Sequence, residues 1–402
     1  MSATADPRVS HTRVAPSKGI RLSWSDPTMR SIVWQVVIIG GLSAAVWYLV
    51  SNTMHNLAAR HIATGFAFLG RVAGIPIGEA MIPYDPAVST FGLALVEGLL
   101  NTLKVAIIGV VLATILGTVI GIGRLSSNFL ISRLTAVYVE VIRDIPLLLQ
   151  LFFWYALVQG LPAPKQSLAI GHSIFLSNRG FKIPLLEWQS AHWWTVAAFA
   201  LGLAGTLAWN RHARRRQEES GIKPPVWPAA VLLLIGFPVV IWAALGAPFT
   251  LEYPVLRGFN FQGGGSFSPE FGALLLGLVI YTASYIAEIV RSGIQAVAQG
   301  QWEAAGALGL RRGAMLRLIV LPQAMRVIIP PMTSQYLNLT KNSSLAVAIG
   351  YQDLVSIAGT TLNQTGQAIE GIAVIMAVYL AISLSISLFM NWYNAHVALV
   401  ER

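Results

Sequence analysis

Cysteine and charge are what this sequence has least of. It contains no cysteine in 402 residues, which excludes disulfide bonds, thiolate metal sites and a cysteine nucleophile, and leaves the redox compartment open. Charged residues make up 11% of the chain and hydrophobic residues 55%, whereas a soluble domain carries roughly 25% charged residues. This composition predicts a protein that lies in a lipid bilayer.

Motifs for catalysis and for cofactors are also missing. No Gly-Lys-Ser or Gly-Lys-Thr occurs, so the chain lacks the P-loop of an ATPase. Its seven histidines are scattered, without the His-Glu-x-x-His spacing of a metal site. The net charge of +10 is spread over short loops and is not gathered on one soluble face, as it is in a nucleic-acid-binding protein. We therefore expect no enzyme activity, metal, cofactor or nucleic acid partner for this chain itself.

Long apolar runs recur along the chain. A helix needs ~20 such residues to cross ~30 Å of hydrocarbon, and it satisfies its own backbone polar groups there. The seventh run carries Pro330 and Pro331 beside a polar cluster, which is typical of a broken helix that faces a cavity. Eight spans are predicted, at about 31–50, 94–122, 135–160, 191–209, 227–247, 270–291, 325–348 and 371–392.

Basic residues set the expected orientation. With the N-terminus in the cytoplasm, the inner segments hold 18 Lys and Arg residues and the outer segments hold six, as the positive-inside rule requires. Both termini are then cytoplasmic, and the polar stretch 1–30 is interpreted as a cytoplasmic tail because it lacks the apolar region of a signal peptide. The six outer residues are Arg60, Arg71, Lys165, Arg179, Lys182 and Arg257.

Charged and polar side chains inside the spans are candidates for a transport path. A charge at a helix centre costs roughly 2.5–3.5 kcal/mol on insertion scales, so such charges pair or line a water-filled cavity. Glu140 and Arg143 lie three residues apart, as do Glu288 and Arg291, which places each pair on one helical face. Each pair either lines the path of a zwitterion or fixes the register of its helix. The candidates for the path are Glu140, Arg143, Glu288, Asn338, Lys341, Asn342 and Ser343.

Glycine spacing inside the second span predicts close helix packing. Gly117 and Gly121 form a Gly-x-x-x-Gly pattern, and small residues at this spacing let two membrane helices approach each other closely. A dinucleotide-binding interpretation would require a preceding strand and a soluble βαβ unit, neither of which the sequence indicates.

The most specific motif lies in the inner loop that follows the sixth span. Its positions are Glu303, Ala304, Ala305, Gly309, Ile319, Leu321 and Pro322. This spacing resembles the "EAA" loop of permease subunits of binding-protein-dependent ATP-binding-cassette (ABC) importers. The resemblance implies that the loop lies in a groove of the ATP-binding subunit and transmits its closure.

The residues of this loop suit a docking helix. Glu303 to Leu308 favours a helix, its alanines allow another protein surface to approach closely, and Gly309 is a favourable helix stop. Pro322 is expected to begin the next helix, where its missing N–H costs nothing. The alternative interpretation is an ordinary amphipathic loop helix.

Further segments narrow the resemblance. Residues 95–104, 138–150 and 281–293 resemble the first three core helices of polar amino acid permeases. Residues 339–346 and 359–367 resemble the general L-amino acid permeases, which also carry an insertion between their second and third core helices. The family more often has Arg-Gly-Thr-Pro where this chain has Arg143-Asp144-Ile145-Pro146, and this departure leaves substrate preference open.

The resemblance implies an all-α polytopic membrane protein with about eight transmembrane helices. Five of them would form a MetI-like core, with extra N-terminal and inserted helices. In chain order, the expected segments are a cytoplasmic tail (1–30), an extra helix with a periplasmic segment (31–93), the first part of the core (94–160), an inserted segment with two helices (161–269), and the second part of the core (270–402). The last segment includes the coupling loop 299–324.

The implied function is import of L-amino acids across a bacterial inner membrane. The implied partners are a dimeric ATP-binding subunit that binds ATP and Mg, a second permease subunit in a heterodimer, a periplasmic amino-acid-binding protein, and membrane lipid. Import of another small polar solute is an alternative. Two further hypotheses are an ion-coupled secondary carrier, which would have no ATPase to dock, and a membrane scaffold, which would not need charges inside the membrane.

Overall fold

A computed structural model describes residues 27–59, 64–171, 173–222 and 224–397. The chain separates into two compact units, Met1–Gly65 and Phe66–Arg402. The described part of the first unit is the helix α1, Pro27–Ala59, whose apolar side chains are exposed. Such a surface suits lipid, because a helix that is apolar on all sides has no aqueous face. Residues 1–26 of the tail expected over 1–30 lie outside the described residues.

Twelve helices follow in the described part of the second unit. Seven helical segments of the described chain are long and apolar enough to cross a membrane, or eight if one bent pair counts as a span, which confirms a polytopic helical protein. The helices of the second unit are α2 Phe91–Arg124, α3 Phe129–Asp144, α4 Leu147–Gln159, α5 Ser190–Ser220, α6 Trp227–Val231, α7 Phe237–Ala244, α8 Pro269–Gln295, α9 Gln299–Ala307, α10 Arg312–Met315, α11 Leu321–Asn342, α12 Leu354–Thr365 and α13 Ala368–Val397.

Helices α2 and α8 pack closely at the centre of this unit. A Cβ atom added to Gly117 would lie 2.6 Å from Ile286 Cβ, and one added to Gly121 would lie 2.7 Å from Ala287 O. Only glycine allows backbones to approach this closely. The close packing predicted from the Gly-x-x-x-Gly spacing is therefore present.

The third predicted span, 135–160, is wrong as a continuous helix. Helices α3 and α4 meet at an angle of 106°. The break falls at Ile145, which has extended backbone angles of φ −93° and ψ 126°, and at Pro146. Proline lacks the N–H that a helix needs and drives the preceding residue away from helical angles, so the chain turns where the sequence has Ile-Pro.

The seventh predicted span is continuous where a break was expected. The predicted break at Pro330 and Pro331 is absent, because α11 continues through both. Ile328, Ile329 and Met332 are buried in a cluster with α8, and this packing offsets the two backbone hydrogen bonds that the prolines cannot donate. The chain leaves the α-helical form only at the 3₁₀ turn Ser343–Ile349.

The segment between α4 and α8 combines a helical hairpin with short strands that the sequence did not predict. Helix α5 contains Arg211–Arg216, so the loop implied between the predicted spans 191–209 and 227–247 is wrong over these residues. Helices α6 and α7 are joined by the π-helical turn Leu232–Gly236. The strands are β1 Leu168–Ile170, β2 Ile174–Ser177, β3 Gly180–Ile183, β4 Leu185–Leu186, β5 Leu251–Glu252, β6 Val255–Arg257, β7 Asn260–Gln262 and β8 Gly265–Phe267.

These strands pair antiparallel in three small sheets. The larger sheet has the order β1-β2-β3-β8, and β4 pairs with β5 and β6 with β7. Strand β8 leads directly into α8, so the larger sheet is attached to the central helix. Short strands of two to four residues carry too little periodicity to predict from sequence.

Contacts at the helix termini define two ends of this unit. At the sheet end, the backbone N–H of Ser268, just before α8, donates to Glu79. At the other end, which we call the α9 end, Arg124 closes α2 and pairs with Glu288 of α8. Helix α5 begins beside β5 and therefore carries Arg211–Arg216 toward the α9 end.

Candidate translocation path and coupling helix

A polar groove follows α8 and consists of two adjoining cavities. The first, of about 470 Å³, lies between α2, α3 and α8. The second, of about 270 Å³, lies between α8 and α11. Tyr285 borders both. The other lining residues are Arg124, Val139, Glu140, Arg143, Asp144 and Glu288 in the first cavity, and Tyr281, Thr282, Gln335, Asn338 and Asn342 in the second.

Glu288 pairs with two arginines at the α9 end of this groove. Arg291, three residues on, donates from Nη2 to Glu288 Oε1 over 2.5 Å, which is the pairing that the spacing permitted. Arg124 also pairs with the same carboxylate from α2. This second contact joins two helices, and it could not be read from spacing within one helix. The three side chains together carry a net positive charge.

Glu140 and Arg143 do not form the ion pair that their spacing permitted. No salt bridge joins them within the described residues, and the Arg143 guanidinium lies 4.8 Å from the ring centroid of Tyr285. A guanidinium gains about 0.5–2 kcal/mol over an aromatic face, so Arg143 is held at the junction of the two cavities. Both charges nevertheless line the first cavity.

The polar cluster predicted near Lys341 is divided by the structure. Asn338 and Asn342 line the second cavity. Ser343 is buried and donates from Oγ to the carbonyl of Thr340 over 2.7 Å, while Lys341 is exposed. The cavity therefore contains two members of the predicted set, together with residues that the sequence analysis did not select.

Gln335, which the sequence analysis missed, shares a periodic signal with the two predicted asparagines. Gln335, Asn338 and Asn342 follow each other at helical spacings of three and four residues, so they share one face of α11. On α8, Tyr281 and Tyr285 lie with their hydroxyl oxygens 3.0 Å apart. A search for polar residues at this spacing would have found the α11 set.

Helix α9 follows the C-terminal end of α8 and contains Glu303, Ala304 and Ala305 of the predicted coupling motif. Ala305 is 1% exposed, while Glu303 and Ala304 are exposed and Leu308 is 78% exposed. One face of the helix therefore packs on the core, and the opposite face is available to a partner. Within the described residues, no cluster of three or more His, Asp or Glu side chains suits a metal ion.

Gly309 ends α9 with a defined turn. It has φ +69°, its N–H donates to Gly306 O over 2.9 Å, and the N–H of Leu310 donates to Ala305 O over 3.2 Å. This pair of hydrogen bonds is the Schellman motif, in which a left-handed residue, usually glycine, follows the helix. The helix stop expected at Gly309 is therefore present.

Pro322 lies in the first turn of α11, as expected, but α11 does not follow a loop. The chain is helical from Arg312 onward, with a π-helical turn at Leu316–Val320 that contains Ile319. The N–H of Leu321 donates to Leu316 O, five residues back, and this wider turn immediately precedes the proline, which cannot donate. Gln323 also donates to Gln301 Oε1 over 3.2 Å, so α9 is tied directly to α11.

A segment before α2 forms a strap across the sheet end, and sequence analysis missed it. We define the strap as residues 76–82. Its Glu79 side chain pairs with Lys104 and accepts the backbone N–H of Ser268. Glu97, which is fully buried in α2, accepts the backbone N–H groups of Met81 and Ile82. Buried charges here are paired or hydrogen-bonded, as burial requires.

Gln352 and Asn101 complete the strap contacts. Gln352 accepts the Gly78 N–H over 2.6 Å and donates to Pro76 O over 2.5 Å. Asn101 Nδ2 donates to Glu79 O over 3.0 Å and to Gln352 O over 3.1 Å. The strap thus joins α2, the start of α8 and the segment before α12. Lys104 lies inside the second predicted span, 94–122, but contacts across such sequence distances have no local signal.

Comparison with known proteins gives the family. Residues 224–399 match the family described as binding-protein-dependent transport system inner membrane component. The chain is 48% identical over 385 residues, covering 95% of this chain and 96% of the relative, to the general L-amino acid transport system permease protein AapQ of Rhizobium johnstonii.

Two other relatives match over similar lengths. A putative amino-acid ABC transporter permease protein, YhdX of Escherichia coli, is 47% identical and covers 98% of this chain and 100% of the relative. The glutamate/glutamine/aspartate/asparagine transport system permease protein BztB of Rhodobacter capsulatus is 42% identical and covers 96% of this chain and 98% of the relative. Near-complete alignment at these identities shows that the chain belongs to the inner membrane permease components of binding-protein-dependent transport systems.

Proposed function

We propose that this chain is the permease subunit of an ABC importer that moves L-amino acids across a bacterial inner membrane. The observation that carries the proposal is the alignment, over nearly the whole chain, with two relatives named as amino acid permeases at 47% and 48% identity. The α8 groove supports it, because a zwitterion needs both signs of charge along its path. Arg143 suits the carboxylate and Glu140 the ammonium.

The energy for import comes from a separate ATPase dimer that binds ATP and Mg. The exposed face of α9, with Glu303 and Ala304 on it, is the docking surface for one ATPase subunit. Closure of the ATPase pushes α9, and the Gln301–Gln323 contact passes the displacement to α11, which lines the second cavity. A secondary carrier would have no use for such a helix.

A second, related permease completes the path as a heterodimer, and a periplasmic binding protein delivers the amino acid. The α9 end is cytoplasmic and the sheet end is periplasmic, as the distribution of basic residues favours. Labelling of a single introduced cysteine in Arg214→Cys tests this orientation, because the native chain has no cysteine. Labelling of that position from the periplasm in intact cells would contradict it.

Uptake by the complete importer tests the substrate class. The complex, reconstituted with its binding protein, is given acidic, neutral and basic L-amino acids, with a sugar and an inorganic anion as comparison solutes. ATP-dependent uptake of at least one class of amino acid is expected. Uptake of the comparison solutes alone would overturn the amino acid assignment while leaving the family intact.

Variants in α11 test the path. Asn338→Leu places an apolar side chain in the second cavity and is expected to change uptake rate or substrate range without releasing the ATPase. Lys341→Ala is expected to act in the same way if the exposed Lys341 faces the second permease. Val327→Leu, on an exposed position of the same helix, is the matched control. Wild-type uptake by both path variants would remove these residues from the path.

A further inference from the structure

The tip of the β6–β7 hairpin carries an exposed aromatic ring with basic residues beside it. Phe259 is 74% exposed, and the Lys165 ammonium lies 4.2 Å from its ring centroid. Arg179 donates from Nη1 to Phe259 O over 3.3 Å, and Arg257 ends the strand that precedes the tip. We call Lys165, Arg179, Arg257 and Phe259 the basic patch. All four side chains are exposed.

The hairpin is held rigidly against the larger sheet. Phe261 is buried and stacks on Phe175 of β2, with ring centroids 4.5 Å apart and an interplanar angle of 27°. Arg179 adds a second contact, at the tip itself. A surface that is ordered before binding loses less entropy when a partner arrives, and exposed aromatic and arginine side chains are the types that contribute most to protein interfaces.

No carboxylate of the described residues forms a salt bridge with Lys165, Arg179 or Arg257. Three of the six basic residues expected outside the cytoplasm thus lie at or next to the hairpin tip without an ion-pair partner among the described residues. Cations held close together without internal partners favour an acidic surface on another molecule, because complementary potentials steer and align association.

The basic patch is also joined to the transport core. Gly180 of β3, with φ +102°, lies so close to β8 that a Cβ there would be 2.0 Å from Phe267 O. Phe181 of the same strand packs over Gly272 of α8. A molecule bound at the patch therefore rests on a sheet that is anchored directly to the helix lining both cavities.

We propose that the basic patch docks an acidic surface of the periplasmic substrate-binding protein. This inference rests on the proposed function, which requires a soluble protein to deliver substrate at the sheet end. A protein is favoured over an anionic lipid surface because Lys165 and Arg179 both contact Phe259 at the tip of one packed hairpin. Hydrogen bonds donated by cations at fixed positions suit carboxylates at fixed positions on a partner protein.

Binding of the purified cognate binding protein to the intact importer in nanodiscs tests the proposal. Arg179→Glu and Arg257→Glu are each expected to weaken binding about tenfold or more, because like charges then face each other across the interface. Basal ATPase activity should be unchanged, since neither residue belongs to the α8 groove or to α9. Arg71→Glu, another exposed outer cation away from the patch, is the matched control and should bind normally.

A salt series on the wild-type importer keeps the test independent of how the variants fold. Binding should weaken as ionic strength rises, and the slope should fall in Arg179→Gln, because exposed charges are screened within about 10 Å at 0.1 M salt. Equal affinity of Arg179→Glu, Arg257→Glu and wild type would overturn the docking surface. Variants that bind the binding protein normally and lose binding only to anionic vesicles would also overturn it. Failure of the wild type to bind any binding protein would instead contradict the proposed function.

Discussion

At the scale of single residues, the Glu79–Lys104 pair connects the strap to the core. Both side chains are largely buried, with 11% and 13% exposure, and the Lys104 ammonium also lies 4.4 Å from the ring centroid of Phe271. Lys104→Met leaves the Glu79 carboxylate buried without its cation. Removing one partner of such a pair costs about 3–5 kcal/mol, so the thermal midpoint of the purified protein should fall clearly.

A double-mutant cycle separates the pair from general damage. Glu79→Gln/Lys104→Met removes both charges and should recover part of the loss, because no buried charge then remains unpaired. Additive losses in the double variant would show that the two side chains are not coupled.

Asp353 gives the molecule a pH-dependent element outside its spans. It is fully buried before α12 and accepts the Ser356 N–H over 2.9 Å, and burial raises its pKa to about 7. In the unfolded chain the pKa of an Asp carboxyl is about 3.9. Between these two values the folded state binds more protons, so stability falls as pH rises from about 4 to about 7.

Asp353→Asn should remove this dependence while keeping an oxygen for the Ser356 N–H. The thermal midpoints of wild type and variant are compared at pH 5 and pH 8. The variant should gain relative to wild type at the higher pH. A difference between the two proteins that is the same at both pH values would exclude titration of Asp353 as the cause.

At the scale of helices, the α2–α8 contact depends on the absence of side chains. A Cβ at Gly117 would lie 2.6 Å from Ile286 Cβ and 2.8 Å from Ala283 O. Overpacking typically costs about 1–3 kcal/mol, so Gly117→Ala should lower stability and separate the helices that flank the first cavity. Gly359→Ala, in α12 with no atom within 4 Å of the added Cβ, should be neutral or stabilising. Equal effects of both would contradict the close contact.

Helix α9 is the element expected to carry coupling. Gly309→Pro removes the N–H that donates to Gly306 and is incompatible with φ +69°, so the end of α9 should deform. Pull-down of the ATPase and stimulated ATP hydrolysis should fail, while the substrate range of residual uptake stays unchanged. Gly313→Ala, an exposed glycine of ordinary φ in the same segment, is the control. Full ATPase attachment with an altered substrate range would show that this loop does not couple.

Local signals in the sequence were enough to predict some elements and not others. Apolar length predicted the spans, and the Gly117–Gly121 spacing predicted close packing, because both depend on neighbours within one helix. Prolines alone did not predict where helices break. The chain bends at Pro146, while Pro330 and Pro331 lie inside a continuous helix that packing stabilises. The strap and the Arg124–Glu288 contact join residues far apart in the chain, so no local pattern indicated them.

At the scale of the whole molecule, the fold places two candidate sites, the α8 groove and helix α9, on one helical frame. The α8 groove holds charges of both signs, and α9 has an exposed face and is tied to α11 through Gln301 and Gln323. The chain has no P-loop of its own, and under the proposed function the energy for a change of access comes from an ATPase subunit. Transport is therefore predicted to depend on ATP hydrolysis by a separate protein.

The most direct test is uptake by the reconstituted importer, with binding protein present, while ATP and the ion gradients are varied independently. Vesicles that contain ATP inside and no proton or sodium gradient should accumulate L-amino acids, and an ionophore should leave this uptake unchanged. Vesicles with a gradient and no ATP should accumulate none. Uptake that persists without ATP and collapses with the ionophore would contradict the account.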